Sequence, residues 1–505
     1  MKTSSAIRCL IVLLFVLNAP KASSGTNWPQ WRGPNGNGIV DSGNPPVTWS
    51  EAENIRWKVP ISGKGHATPI IWGDQVFVLT VESAEAGQNA PAVRSQERGG
   101  RDGGRGRIGD NRPGRNNRDF LRQLDTNGDG EVDENEREAA RQRFRNRAGG
   151  ERNRGRDQGR GGRGRGGFGG RGSAPTSLHT FKTRSLDRKT GKLLWETVAR
   201  KEVPHQGVQR TNTYGSGSPV TDGEHLYVSF GSYGLYCYDL DGELVWEKNL
   251  GKVSVTFGEG ASPALYGETL IVVQDNNGDS FIYAFDKRTG EELWKKSRDE
   301  RSGWTTPYIM ERDGKIQVLV SGSKAVRSYD IKSGEVIWQC SGLGSNPVPM
   351  IVADENAIYA MSGHRQPYGM AVKMGGTGDL TETDAVLWTT TRGTPYVPSP
   401  LLYGGLLFYC QRSNGILTCV DAQSGKVHFG QERLEGMSGV YASPVGVGDR
   451  IYLPGQNGAT VVFKKSKALE VMAVNRLDDQ FDASPAVIGN ELFLRGHSNL
   501  YCIVK

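Results

Sequence analysis

From about residue 55 to the C-terminus, short runs of alternating apolar and polar residues recur, each closed by Gly, Asp or Asn. Pro219 to Tyr227 reads as a strand, a tight turn and a second strand; Leu235 to Asp239 is a third, and a fourth carries Trp246. Alternation with a period of two marks half-buried antiparallel strands. The four-strand unit repeats. Pro219, Pro263 and Pro307 stand 44 residues apart, as do Pro400 and Pro444, and each follows Ser or Thr. Eight residues beyond a proline comes a large apolar strand residue, at Phe77, Tyr227, Ile271, Phe408, Tyr452 and Phe493. Repeats of about 40–45 residues holding four short strands predict the blades of a propeller.

A turn signature sits between the third and fourth strands. Asp187-x-x-Thr190-Gly191-x-x-x-Trp195 returns at Asp286 to Trp294, at Asp330 to Trp338 (with Ser333) and at Asp421 to Phe429 (with Ser424), and a shorter form runs from Asp239 to Trp246. The glycine accepts positive φ, and the tryptophan is expected to pack on the neighbouring blade. Prolines mark eight blades, starting at Pro69, Pro219, Pro263, Pro307, Pro347 to Pro349, Pro400, Pro444 and Pro485. The last ends on a third strand, Leu500 to Val504, while Asn54 to Pro60 looks like a fourth strand with no blade before it. Pairing the two would close the ring and leave no sheet edge exposed. The expected fold is therefore all-β, an eight-bladed β-propeller over 25–505 closed by an N-terminal strand.

The signature resembles the repeat of the pyrroloquinoline-quinone-type eight-bladed propellers. That family includes quinoprotein alcohol dehydrogenases and the barrel-assembly lipoprotein of Gram-negative outer membranes. The opening Trp28-Pro-Gln-Trp31-Arg32-Gly33-Pro34 is similar to the head of bacterial secreted members. The resemblance implies the fold, which is shared by enzymes and scaffolds, so activity has to be argued from sites. A quinone site would need a general-base Asp, a carboxylate and amide set holding calcium, and an aromatic floor. Asp482, Asn212 and Trp304 have the right chemistry, but no local spacing selects them. Quinoprotein alcohol dehydrogenases commonly carry an adjacent cysteine pair, which this sequence lacks, and there is no Cys-x-x-Cys-His for haem.

Residues 1–24 read as a secretory signal peptide. Lys2 and Arg8 precede an apolar run from Cys9 to Leu17, with small residues at Ala22 to Gly25. The run is short for a membrane span, and Cys9 is not placed for lipid attachment. A periplasmic or secreted protein without a transmembrane span is expected, and a monomer. In that oxidising setting Cys410 and Cys419 flank Asn414-Gly415, a two-residue hairpin signal that would set them opposite each other and allow a disulfide. Cys237 and Cys502, at matching third-strand positions, are expected to be inert core thiols.

The net charge of +7 belongs to one segment. Residues 94–172 hold 21 Arg and 13 Asp or Glu, a net of +8, so the remainder is near neutral. This Arg/Gly-rich insertion, 93–172, separates the second and third strands of blade 1 and has too little apolar content to order itself. Its Arg-Gly runs resemble RNA-binding tails, but nucleic acid is not an expected partner of a secreted protein. One island is different. Asp125, Asn127, Asp129, Glu131 (through its carbonyl), Asp133 and Glu136 fall at positions 1, 3, 5, 7, 9 and 12 of an EF-hand loop, with Gly130 at position 6. Flanking helical patterns extend the module over 116–147. Calcium is the expected cofactor. Asp275 to Asp279 begins similarly but lacks the glycine at position 6, and reads as a hairpin turn.

Loops between strands two and three, and between blades, must open on one face of such a ring. They carry Asp275, Asn276, Lys324, His364, Arg365, Arg412, Gln456, Arg495 and His497, and also His205, Arg210, Asn212, Tyr214, Trp304, Tyr396, Tyr441 and Asp482. A concave polar mouth suits a protein, peptide or polysaccharide partner. The expected function is a calcium-binding propeller scaffold without catalysis; the alternative is a pyrroloquinoline-quinone-dependent alcohol or sugar dehydrogenase.

Overall fold

The computed structural model describes residues 27–84 and 172–505. The signal segment, the insertion up to residue 171, and the predicted calcium ligands Asp125, Asn127, Asp129, Glu131, Asp133 and Glu136 lie outside them. Among the described residues the strands form eight sheets, each with four strands of one blade. Blade 1 consists of Ile70–Trp72, Gln75–Ser83, His179–Asp187 and Leu193–Glu202, hydrogen-bonded in chain order. Later blades begin at Val220, Ala264, Tyr308, Val352, Leu401, Val445 and Ala486. All but Val352 directly follow a predicted proline. First strands of neighbouring blades contact one another, so they line the axis. The expected ring closure is present: Ile55–Pro60 pairs antiparallel with Asn499–Ile503, placing Trp57 opposite Cys502.

The geometry explains the repeated signature. Asp187 accepts hydrogen bonds from the Thr190 backbone N–H (2.7 Å) and hydroxyl (2.6 Å), which folds the turn. Gly191 follows with φ +71°. A Cβ there would also lie 2.9 Å from the Trp57 ring of the preceding blade, whose indole N–H donates to the Arg188 carbonyl at 2.9 Å. The device recurs around the ring. Trp195 covers Gly242 and donates to Leu240, Trp246 covers Gly290 and donates to Lys287, Trp294 covers Gly334 and donates to Ile331, and Trp388 covers Gly425 and donates to Ala422. The glycine thus serves the turn and the seam together. In the sheets that carry the tryptophan, a small third-strand residue lies between it and a large second-strand residue. Cys237 pairs with Tyr227 and Trp246, and Ala284 with Ile271 and Trp294.

The Ser/Thr-Pro step has its own role. The Ser218 hydroxyl accepts from the Thr68 N–H, Ser262 from Ser218, and Thr306 from Ser262, at 2.9–3.1 Å. Ser399, Ser443 and Ser484 extend the relay from Met350. Each hydroxyl satisfies a buried donor of the previous blade, which is why a hydroxyl residue precedes the blade-opening proline in every blade but the fifth.

The N-terminal head does more than the sequence suggested. Trp28 bridges Ile71 of blade 1, the Pro29 carbonyl accepts from Thr221 of blade 2, and Ile39–Val40 adds a parallel strand to Val445–Val447 of blade 7. Residues 28–40 therefore run along the axial strands. Fully buried Arg32 donates to the Asn37 and Pro400 carbonyls at 2.8 Å, and burial pushes its guanidinium down to about 10. Further on, Trp49 supplies a missing residue. Blade 7 carries Ala473, opposite Val462, where six blades carry tryptophan and blade 6 carries Phe429. Trp49 stacks on Tyr452 at 6.4 Å, close to the 6.1 Å between Trp246 and Tyr227. Asn475 anchors this segment through the Trp49 N–H and the Val47 carbonyl, both 2.9 Å.

The proposed cross-strand disulfide is corrected. Cys410 pairs with Leu417, and Cys419 pairs with Phe408. The Gln411 N–H bonds to the Ile416 carbonyl, so four residues, not two, form the loop. Gly415 has positive φ and so does Arg412, but Asn414 does not. Neighbouring loops hold the longer turn open: Arg412 donates to Thr394, Val440 to Ser413 and Leu434 to Gly415. Tertiary bonds override the local turn preference, and the register slips by two residues. Both thiols are free and buried, and burial pushes each up to about 12. Cys237 and Cys502 are buried core residues, as expected.

Candidate functional site

The antiparallel order of every blade brings the second-to-third and inter-blade loops to one rim of the ring. Several residues expected there turn out to be structural. Asp275 is buried against Arg298 in a two-pronged ion pair (2.7 and 3.0 Å), and Arg298 also donates to the Tyr329 hydroxyl at 2.6 Å. Burial pushes the Asp275 carboxyl up against the pull of Arg298. Asn276 ties its own hairpin through the Gln274 and Asp279 carbonyls, confirming the turn reading of this segment. His205 bonds to the Val253 carbonyl and Tyr233, and the Tyr214 hydroxyl donates to Gln206. Lys324 pairs with Asp299. Buried Arg495 donates to the Leu79 carbonyl at 2.7 Å.

At the mouth, Phe257 stacks on Trp304 (5.6 Å) and meets His364 edge-on (6.0 Å), and His364 continues to Tyr396 (4.9 Å). The hydroxyls of Tyr441 and Thr211, from loops on different blades, come within 3.4 Å. Asn212 donates to the Phe257 and Glu259 carbonyls and accepts from Thr213 and Ser216; the Trp304 indole donates to the Gly258 carbonyl at 2.5 Å. Between blades 5 and 6 lies an open cavity of about 320 Å³, whose lining includes Arg392, Arg412, Gln411 and Gln431. Arg210, Arg365, Arg392 and Arg412 are exposed.

Two groups that the sequence did not single out complete the rim. Glu259, at the seam of blades 2 and 3, accepts from the Ser232 N–H through both oxygens (3.0 and 3.1 Å). Burial pushes its carboxyl up to about 7, only partly offset by those bonds. His66, at the seam of blades 8 and 1, joins two residues that the sequence did name. Asp482 Oδ2 lies 2.7 Å from His497 Nε2 and 3.5 Å from His66 Nε2; the two imidazoles stack at 5.0 Å. Gln456 donates to the other Asp482 oxygen at 2.7 Å. Burial pushes His66 down to about 4 against the pull of Asp482. It would also raise Asp482, but His497, His66 and Gln456 hold that carboxyl below its ordinary range. No local spacing in the sequence groups these residues, yet the fold brings them together. A signal was available: His66 and Asp482 each stand three residues before a blade-opening proline, Pro69 and Pro485. The equivalent repeat positions become neighbours once the ring closes.

The sequence model of the family described as "Outer membrane protein assembly factor BamB" matches residues 182–431, roughly half the chain. The quinohemoprotein alcohol dehydrogenase from Comamonas testosteroni superposes with a TM-score of 0.57 at 10% identity, covering 96% of this chain and 81% of that one. A europium-containing methanol dehydrogenase superposes with a TM-score of 0.54 at 8% identity, covering 95% and 91%. At these identities the likeness shows the fold alone. WD repeat-containing protein 55 from Mus musculus is 30% identical over 92 residues, 18% of this chain and 23% of that protein, so the chain spans under a quarter of that curated relative. The closed ring, with its tryptophan and glycine seams, defines an eight-bladed propeller of the quinoprotein type. The chain belongs to the pyrroloquinoline-quinone-like repeat family. Among the described residues no helix is long and apolar enough to cross a membrane.

Proposed function

We propose that the protein is a periplasmic or secreted propeller scaffold whose rim binds an acidic peptide, protein segment or polysaccharide, with a calcium-binding EF-hand in its insertion. The observation that carries this reading is the state of the mouth. The residues that a quinone site would draw on are already engaged. The Asn212 amide bonds to backbone, the Trp304 indole lies under Phe257 and on Gly258, and Asp482 is shared by His66, His497 and Gln456. These residues do not fit the quinone. What the rim offers instead is cationic: Arg392 and Arg412 on an open cavity, with Arg365 and Arg210 exposed nearby in sequence or on the same rim. Such groups favour carboxylate or phosphate partners through charge-assisted hydrogen bonds.

Family membership is compatible with a scaffold role, since the matched description names an outer-membrane assembly factor. In the insertion, Asp125, Asn127, Asp129, Glu131, Asp133 and Glu136 would hold calcium through oxygen alone, as a hard cation requires. Two measurements test the reading. Purified protein mixed with calcium and the quinone should show no stoichiometric quinone absorbance and no dye-linked alcohol oxidation; either signal would overturn the scaffold reading. Calorimetry should find one calcium per chain, weakened more than tenfold by Glu136→Gln; an unchanged titration would remove the EF-hand assignment.

A further inference from the structure

We propose that His66, Asp482 and His497 form a binding site for one late first-row divalent metal ion, with zinc as the reference case. The three residues lie at the seam between blades 8 and 1, and their ligand atoms all fall within 4.8 Å of one another. Zinc holds imidazole nitrogen and carboxylate oxygen at about 2.0–2.2 Å. Ligands at that radius and near-tetrahedral angles are spaced about 3.4 Å apart. The observed 2.7 Å and 3.5 Å from Asp482 Oδ2 to the two Nε2 atoms bracket this spacing, so side-chain rotation suffices to admit an ion.

The hydrogen bonds that would orient these ligands are already in place. Gln456 occupies Asp482 Oδ1 and leaves Oδ2 aimed at both imidazoles, the kind of outer hydrogen bond that orients a metal-bound carboxylate. The backbone fixes the two histidines: the His66 N–H donates to the Gly215 carbonyl (3.1 Å) and the His497 N–H to Gln480 (3.0 Å). The Asp482 and His66 side chains are 3% and 15% exposed, whereas His497 is 40% exposed. Three protein ligands with one side open to solvent leave a coordination position for water or a substrate group. A pair of imidazoles with one carboxylate favours zinc, copper, nickel or iron over calcium or magnesium, which require oxygen sets. Among the described residues the other compact group of this kind, Asp222 with Glu224 and His225, is already committed, because Asp222 pairs with Lys287 at 3.0 Å and accepts from the backbone of Glu224 and His225.

The site also has architectural meaning. His66 follows the closing strand Ile55–Pro60, while Asp482 and His497 belong to the last blade, so a bound ion would join the two ends of the ring. The test uses the mature chain carrying Glu136→Gln, stripped with chelator, so that the EF-hand does not compete. Calorimetry should find one zinc per chain, and cobalt should give visible ligand-field bands that zinc bleaches and calcium does not. His497→Gln, at an exposed position, should weaken zinc more than tenfold while the metal-free protein still folds and melts cooperatively. Asp482→Asn should do the same if it folds; should it not, His497→Gln alone decides. No zinc uptake, or equal uptake by wild type and His497→Gln, would overturn the proposal.

Discussion

The seams between blades 2 and 3 and between blades 8 and 1 use the same outer device but differ at the mouth. At the first, Trp246 comes from the preceding strand of a continuous chain, covers Gly290 and donates to Lys287. At the second, Trp57 does the same to Gly191 and Arg188, although it lies more than 400 residues from the sheet that it completes. Both seams carry an ion pair across them, Lys287 with Asp222 at the first and Arg188 with Glu491 at the second, but the second adds further polar contacts. Arg56 and Arg188 both pair with Glu491, and His66 meets Asp482 and His497. The first has instead the raised carboxyl of Glu259 against Ser232. A seam that must recruit a distant strand gives up loop-closure entropy, and additional polar contacts offset that cost. The lesson is that the repeat fixes the rim of each seam, while chain connectivity shapes its inner edge.

The strongest way to break the comparison is to remove residues 25–60. That deletion takes away the closing strand, Trp57, the axial segment and Trp49, and exposes a sheet edge. The protein should aggregate or melt far below the parent in a thermal scan. An unchanged melt would mean that the closing strand contributes little to the ring.

Single tryptophans come next. Trp246→Ala should cost about 3–5 kcal/mol in denaturant unfolding, the range for a large buried aromatic. Trp49→Ala should approach that value, because Trp49 stands on Tyr452 where the blade's own strand offers only Ala473. A Trp49→Ala loss under about 1 kcal/mol, well short of this range, would show that the N-terminal segment only rests on blade 7.

A smaller effect separates backbone from packing at the glycines. Gly290 and Gly267 both have positive φ, +68° and +56°. A Cβ on Gly290 would stand 2.7 Å from the Trp246 ring, whereas one on Gly267 meets nothing within 4 Å. Gly267→Ala should cost about 1 kcal/mol from backbone strain alone. Gly290→Ala should cost clearly more, and equal losses would remove the seam contact from the account.

The smallest effect is the pH response of the inner edge between blades 2 and 3. Glu259 titrates near 7 in the fold against an ordinary 4.5. Between those values the folded state holds a proton that the unfolded state has released, so this group makes stability fall as pH rises from about 4.5 to about 7, and level off above. Glu259→Gln should therefore melt higher than wild type at pH 8, with the gap closing toward pH 4.5. A gap that persists unchanged at pH 4.5 would assign the difference to something other than ionisation.

The sequence by itself determined the eight blades, the strand order within each, the closing strand at Asn54 to Pro60 and the seam role of the tryptophans. Each of these rests on spacing within a single repeat, and local periodicity carries such information directly. Tertiary structure decided the rest. The Asn414-Gly415 turn was legible as a hairpin, but bonds from Thr394, Leu434 and Val440 lengthened its loop and separated Cys410 from Cys419. The axial course of residues 28–40 and the stacking of Trp49 in place of Ala473 have no local pattern, because they answer to vacancies left by other parts of the chain. His66, Asp482 and His497 meet only because the ring closes. Their chain separations exceed 400 residues on one side and reach only 15 on the other, and no linear spacing encodes the angle at which the last blade comes back to the first.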